Sequence, residues 1–206
     1  MSTTTTTEPV LLLVDPLNDF VHPKGKLYGL LQESLTATKS LDNMTKLVQG
    51  ARNAGISIYY GLHQQWEPGK YSGWNHMRPV HQMTDQGHTF GGWGGEILEG
   101  FEPNLDNGDV VVSRHWNSSS FKGTDLDYQL RQRDVTHLIM AGMVANTCIE
   151  STAREAIELG YKVTLISDAT AGFSQALKEA ATEIIWPTIV DEVLNTNEWL
   201  AKIEKK

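Results

Sequence analysis

Cys148 is the only cysteine among the 206 residues. It stands in Gly142-Met143-Val144-Ala145-Asn146-Thr147-Cys148-Ile149-Glu150, where an apolar run stops and an amphipathic segment begins. A thiol at the start of a helix feels the positive end of the helix dipole and unpaired backbone N–H groups, which favour the nucleophilic thiolate. Thr147 followed three residues later by Glu150 fits a capping box, with Thr147 as N-cap and Cys148 as the first helical residue. A lone cysteine is also commonly a small buried hydrophobe, so its partners must decide. Asp15 closes the apolar stretch 10–14, and Arg114 and His115 follow the stretch 109–113. A carboxylate beside a thiol can take its proton and later return it to a leaving group, and a nearby cation stabilises the sulfur anion. Backbone N–H groups at the start of the Cys148 helix could hold a tetrahedral oxyanion. Together these groups suit acyl transfer, although Asp15 alone, ahead of Pro16, is also an ordinary turn residue.

Such a set works only if the chain brings strand ends together. The hydrophobic pattern predicts strands at 10–14, 56–61, 109–113, 136–140 and 162–166, with a last short one at 189–190. Helices are expected at 40–54, 124–132, 148–159 and 174–182 and at the C-terminus, with Gly55 as a C-cap. Strands alternating with helices and lacking tight hairpins imply crossover connections. The expected class is a three-layer α/β/α, doubly wound fold with a mostly parallel sheet of about six strands and Rossmann-like topology. In such sheets sites form beyond the carboxyl ends of the strands, where strand order reverses. The segment 64–107 breaks the rhythm and holds Trp66, Trp74, Trp93, His76, His81, His88 and the run Gly91-Gly92-Trp93-Gly94-Gly95. A stretch of that length reads as a functional loop or lid.

Composition narrows the function classes. A net charge of -8 argues against nucleic acid or an anionic membrane surface as partner, and a small-molecule substrate is easier to reconcile with it. One cysteine excludes an intramolecular disulfide and fits a reducing, cytoplasmic setting. Residues 1–8 are polar and lack the regions of a signal peptide; they read as a disordered tail ahead of a single domain at 9–206. The glycine run has no preceding strand and no following Lys-Ser or Lys-Thr, so it is not a phosphate cradle. No Gly-x-Gly-x-x-Gly follows the first strand, and no Gly-x-Ser-x-Gly supports a serine hydrolase on Ser118 to Ser120.

Asp15-Pro16-Leu17-Asn18-Asp19-Phe20 resembles the Asp-x-x-Asn-Asp-Phe opening of the isochorismatase-like cysteine hydrolases, the superfamily of isochorismatases and nicotinamidase-related amidohydrolases. Ser120-Phe121-Lys122-Gly123-Thr124-Asp125-Leu126, the stretch from Gly142 to Arg154, and Asp168-Ala169-Thr170 are similar to further segments of that family, in the same order. The resemblance implies an Asp–Lys–Cys triad with Asp15 as acid/base and Cys148 as nucleophile. It also implies a cis peptide before Val144 and an oxyanion hole made by the N–H groups of Val144 and Cys148. Where the family has lysine directly after the third strand, this chain is expected to use Arg114, which keeps the charge but cannot shuttle a proton. His115 is a candidate auxiliary acid/base, although a loop histidine more often only hydrogen-bonds. Phe20, Trp66, Trp93, Trp116 and Met143, with Trp74, are candidates to line a substrate pocket.

Nicotinamidases hold a metal through an Asp and two His after the second strand. Here His63 has Gly61, not Asp, two positions before it, so no metal or other cofactor is expected. The resulting expectation is a metal-independent cysteine hydrolase acting on a small amide through a Cys148 acyl-enzyme, assembled as a homo-oligomer. Hydrolysis of an isochorismate-type enol ether is the alternative chemistry. A non-catalytic binding or oligomeric role is the alternative that the missing lysine would suggest.

Overall fold

The computed structural model describes residues 8–204, so the tail reading for 1–8 falls almost wholly outside the described residues. Six strands form one sheet: β1 (Val10–Val14), β2 (Ile58–Gly61), β3 (Val110–Val111), β4 (His137–Met143), β5 (Lys162–Ala171) and β6 (Glu192–Leu194). Their order is β3-β2-β1-β4-β5-β6, and every pairing is parallel. The chain winds outward from β1 in one direction and from β4 in the other. The switch point therefore lies between β1 and β4, where a crevice opens at the strand ends.

β1 shows why both faces must be covered, since all five of its residues are buried. Leu11 and Leu13 pack on one side with Phe20 and Val21 of the short α1 (Asn18–Val21), Leu31 and Leu35 of α2 (Tyr28–Thr38), Met44, Leu47 and Val48 of α3 (Ser40–Asn53), and Trp199 near the C-terminus. Val10, Leu12 and Val14 pack on the other side with Leu126 and Leu130 and with Ala153 and Ala156. The alternation follows from the period of two along a strand. Burying a side chain of this size contributes about 1.5–3 kcal/mol, so β1 is firmly anchored on both faces.

The alternating reading placed most elements within a few residues, and its failures have local causes. Helix α2 was not expected because it buries only Leu31, Ser34 and Leu35 and leaves Leu30 in solvent, so its apolar stripe is faint. β5 runs to Ala171 rather than ending at 166. Its polar residues are satisfied by neighbours: Asp168 Oδ1 accepts from the Thr196 N–H at 2.8 Å, and the Ser167 hydroxyl donates to the Leu194 carbonyl at 3.2 Å. The last strand is Glu192–Leu194, not 189–190. The segment 64–107 contains a nine-residue helix, α4 (Pro79–Gly87). No helix among the described residues is long and apolar enough to cross a membrane.

Candidate active site

Asp15 follows β1 at the switch point, its backbone N–H bonded to the Gly61 carbonyl at 2.9 Å and its side chain sealed from solvent. Its φ of 49° turns the chain sharply off the strand. Gly142 stands opposite Val14 in the β1–β4 register with φ 119°, and a Cβ there would lie 1.9 Å from the Val14 oxygen. Only glycine lets β4 come this close to β1 before the chain turns toward Cys148. The Met143–Val144 peptide that follows is cis, as the family resemblance implied.

The Cys148 helix starts earlier than the capping pattern suggested. Val144 is the N-cap of a π-turn over Ala145–Ile149 that runs into α5 (Glu150–Glu158), so Cys148 lies within the first turn. Thr147 caps nothing; its hydroxyl faces the Val144 carbonyl and the Cys148 sulfur, while Glu150 pairs with Arg154 at 2.9 Å. The thiol lies within reach of the Asp15 charge. Burial and the Asp15 charge push its pKa well above the ordinary thiol value, against the pull of the Thr147 hydroxyl and the Val144 N–H. This corrects the expected resting thiolate: the helix start is outweighed by desolvation and a neighbouring anion, and the proton rests on sulfur beside its acceptor.

Two histidines flank Asp15. The His63 backbone N–H donates to Asp15 Oδ1 at 2.6 Å, and His115 Nε2 lies 3.3 Å from Oδ2. The chain beyond β3 continues alongside the extension of β2, with His63 and His115 as parallel partners and His115 N–H bonded to the Leu62 carbonyl at 2.9 Å. Successive side chains on extended backbone point to opposite sides, so Arg114 and His115 cannot both face the carboxylate. Arg114 instead donates to the carbonyls of His63 (2.6 Å) and Gly95 (2.9 Å). The group in contact with Asp15 is thus one residue later than expected, and an imidazole rather than a guanidinium.

The charges are sorted accordingly. Burial acts to raise the Asp15 pKa, but the charge of His115 at close contact, with that of His63, holds it below the ordinary carboxylate value. Burial acts to lower His115, yet Asp15 and the Asn117 carbonyl outweigh it and the pKa is raised. His63 goes the other way, lowered by burial to about 4. The two histidines are thus pushed in opposite directions, His115 toward its charged form and His63 toward its neutral one.

A cavity of about 750 Å³ opens above Cys148, lined by Phe20, His63, Arg78, Pro79, Val80 and Met83 on one part and Phe90, Asn117, Ser118, Thr147 and Phe173 on the rest. Of the residues expected to line a pocket only Phe20 does so. Trp66 stacks on His88 at 3.9 Å, Trp93 meets His22 edge-on and is 45% exposed, Trp116 packs on Trp74 and Tyr71, and Met143 is fully buried in the core. These rings fasten the 64–107 segment to itself and to the domain. The apolar wall of α4, with Val80 and Met83 on one side of the helix, escaped the sequence reading because the tryptophans were the louder signal.

Asn18 and Asp19 hold this segment in place. Asn18 Nδ2 donates to the Trp93 carbonyl at 2.9 Å, and Asp19 accepts from the Phe90 N–H at 2.5 Å and the Lys26 N–H at 3.0 Å. Gly94 lies against that carboxylate, where a Cβ would come within 2.5 Å of it. The glycine run therefore serves close packing. Among the described residues no group of three or more His, Cys, Asp or Glu is arranged to hold a metal ion.

The isochorismatase domain model matches residues 9–197. An uncharacterized isochorismatase family protein of Bacillus subtilis, YwoC, is 39% identical over 104 residues, 50% of this chain and 53% of that one. The ureidoacrylate amidohydrolase RutB of Klebsiella pneumoniae is 30% identical over 188 residues, covering 84% of this chain and 78% of its own. A cysteine hydrolase from Pseudomonas syringae pv. phaseolicola has a solved structure that superposes with a TM-score of 0.81 at 30% identity, over 96% of this chain and 92% of that one. With a model match that spans the whole sheet and a superposition over 96% of the chain, the chain belongs to the isochorismatase family and is a hydrolase.

Proposed function

We propose that this protein cleaves the C–N bond of a small amide through an acyl-enzyme on Cys148, without a metal. The observation that carries the reading is the sealed Asp15 carboxylate, whose charge acts directly on the chain's one thiol at the floor of an apolar cavity. The thiol proton passes to Asp15 as sulfur attacks the carbonyl carbon. The N–H groups of Val144 and Cys148 receive the oxyanion. Asp15 returns the proton to the departing nitrogen, and the thioester is then hydrolysed by water with Asp15 again as base. Arg114 braces the floor through the His63 and Gly95 carbonyls. The relatives named for an activity, ureidoacrylate amidohydrolases, support an amide over an enol ether.

The test is a screen of small amides and ureido compounds for ammonia or amine release, followed by mass spectrometry of the quenched enzyme. An accepted substrate should add its acyl mass to Cys148, and Cys148→Ala should lower turnover by several orders of magnitude with an unchanged far-UV circular dichroism spectrum. Wild-type turnover in Cys148→Ala would remove the nucleophile assignment.

A further inference from the structure

The His115 side chain is sealed from solvent between two acceptors. Nδ1 lies 2.9 Å from the Asn117 carbonyl oxygen, which can only accept, so Nδ1 carries a proton. Nε2 faces Asp15 Oδ2 at 3.3 Å, a charge contact rather than an aligned hydrogen bond. Asp15 Oδ1 accepts the His63 N–H, while Oδ2 has no hydrogen-bond donor, so the group that faces it is the His115 ring. A carboxylate in such surroundings is ionised, and the imidazole facing it holds its second proton. Among the described residues His115 is the one basic group in ion-pair contact with Asp15, because both Nη atoms of Arg114 are engaged by carbonyls.

We infer that His115 completes the site as a positioning residue: its imidazolium holds the Asp15 carboxylate in place to serve the Cys148 thiol, and that hold is lost when the ring gives up its charge at alkaline pH. This rests on the reading of Asp15 as the base that serves Cys148. During the reaction the thiol proton goes to Asp15, the sulfur–carbon bond forms and the carbonyl π pair moves to oxygen. His115 keeps both of its protons throughout. The groups that face it are Asp15 at the end of β1, the neutral His63 ring 5.3 Å away beyond β2, Arg114 on its own loop, and Cys148 through Asp15. A lysine in this place would stay charged to about pH 10, whereas a histidine, even one raised by Asp15, loses its charge earlier.

The test reads the site without turnover. Iodoacetamide alkylation of Cys148 is followed against pH in wild type, His115→Gln and His115→Lys, with folding checked by circular dichroism. His115→Gln should alkylate at least about tenfold more slowly at neutral pH, since a one-unit pKa change is a factor of ten. His115→Lys should restore the rate and extend it to higher pH. Nitrogen-15 NMR of labelled histidine supplies a readout that needs no folded Gln variant: the resonance lost in His115→Lys should show an imidazolium at neutral pH in wild type. A neutral ring, a Gln profile overlaying wild type, or a Lys variant whose rate falls at the wild-type pH would each overturn the inference. Failure to find an amide substrate would count against the proposed reaction and leave these readouts standing.

Discussion

The floor of the cavity and its wall are built differently. At the floor, Asp15 and His115 are fully buried and Cys148 is 7% exposed, and each is fixed by backbone contacts at the ends of the central strands. The wall is α4 with Phe20, Phe90 and Phe173, where Met83 and Phe173 are only partly buried and Arg78 is exposed. Buried charge in a low-dielectric setting is sensitive to the loss of a single partner, while apolar lining tolerates exchange of shape. The floor should therefore fix the chemistry and the wall the choice of substrate.

Asp15→Asn is the hardest blow to that division. Asparagine can still accept the His63 N–H but cannot take the thiol proton, so turnover of an accepted amide should fall by about 10²–10⁴. Retention of turnover within about tenfold, with the protein folded, would show that the floor does not hold the base.

The pH dependence of stability separates the two histidines of the floor. The His63 pKa falls from 6.5 to about 4 on folding, so the unfolded chain binds the extra proton first. Its contribution to stability is complete above about pH 6.5 and is lost as pH drops toward 4, on the order of 3 kcal/mol. His115, whose pKa is raised, has the opposite sign: its contribution is complete below about pH 6.5 and is lost as pH rises through the folded value. Melting temperatures between pH 7 and 4 should decline in wild type and decline less in His63→Phe. An identical slope in that variant would place the acid sensitivity elsewhere.

Changes to the wall should be milder and of another kind. Met83→Ala enlarges the cavity beside a partly buried methionine. It should change kcat/KM for a preferred substrate by about tenfold, in line with 1–3 kcal/mol for a small apolar group. The pH profile of Cys148 alkylation should not move. A shift in that profile would mean that wall and floor are one unit.

The smallest expected effect is none at all. Dialysis against a strong chelator should leave turnover and melting temperature unaltered, given that no metal-holding cluster forms among the described residues. Activity lost on dialysis and restored by zinc, iron or manganese would put a metal at the floor and displace the proposed mechanism.

Much of the fold was legible because parallel, doubly covered strands are written as short apolar runs separated by helical patterns, and β1 and β4 are of that kind. The motif residues Asp15, Phe20 and Cys148 also stand out, since a carboxylate or a thiol at a strand end has few structural reasons to be there. Less was legible where neighbours decide. Thr147 and Glu150 satisfied a capping pattern that the π-turn bypasses, and the tryptophans of the 64–107 segment pack on histidines and on Trp116 instead of lining the cavity.

By itself the sequence determined the sheet, the order of its elements and the presence of a thiol and a carboxylate at strand ends, because these depend on local periodicity and residue chemistry. Which of two adjacent basic residues meets Asp15 was decided only by the tertiary structure. The pairing of His63 with His115 sets the pleat, and a shift of one residue along extended backbone turns a side chain to the opposite side. The protonation of the site is tertiary for the same reason. A thiol at a helix start reads as a thiolate until burial and a neighbouring carboxylate, invisible along the chain, return the proton to sulfur.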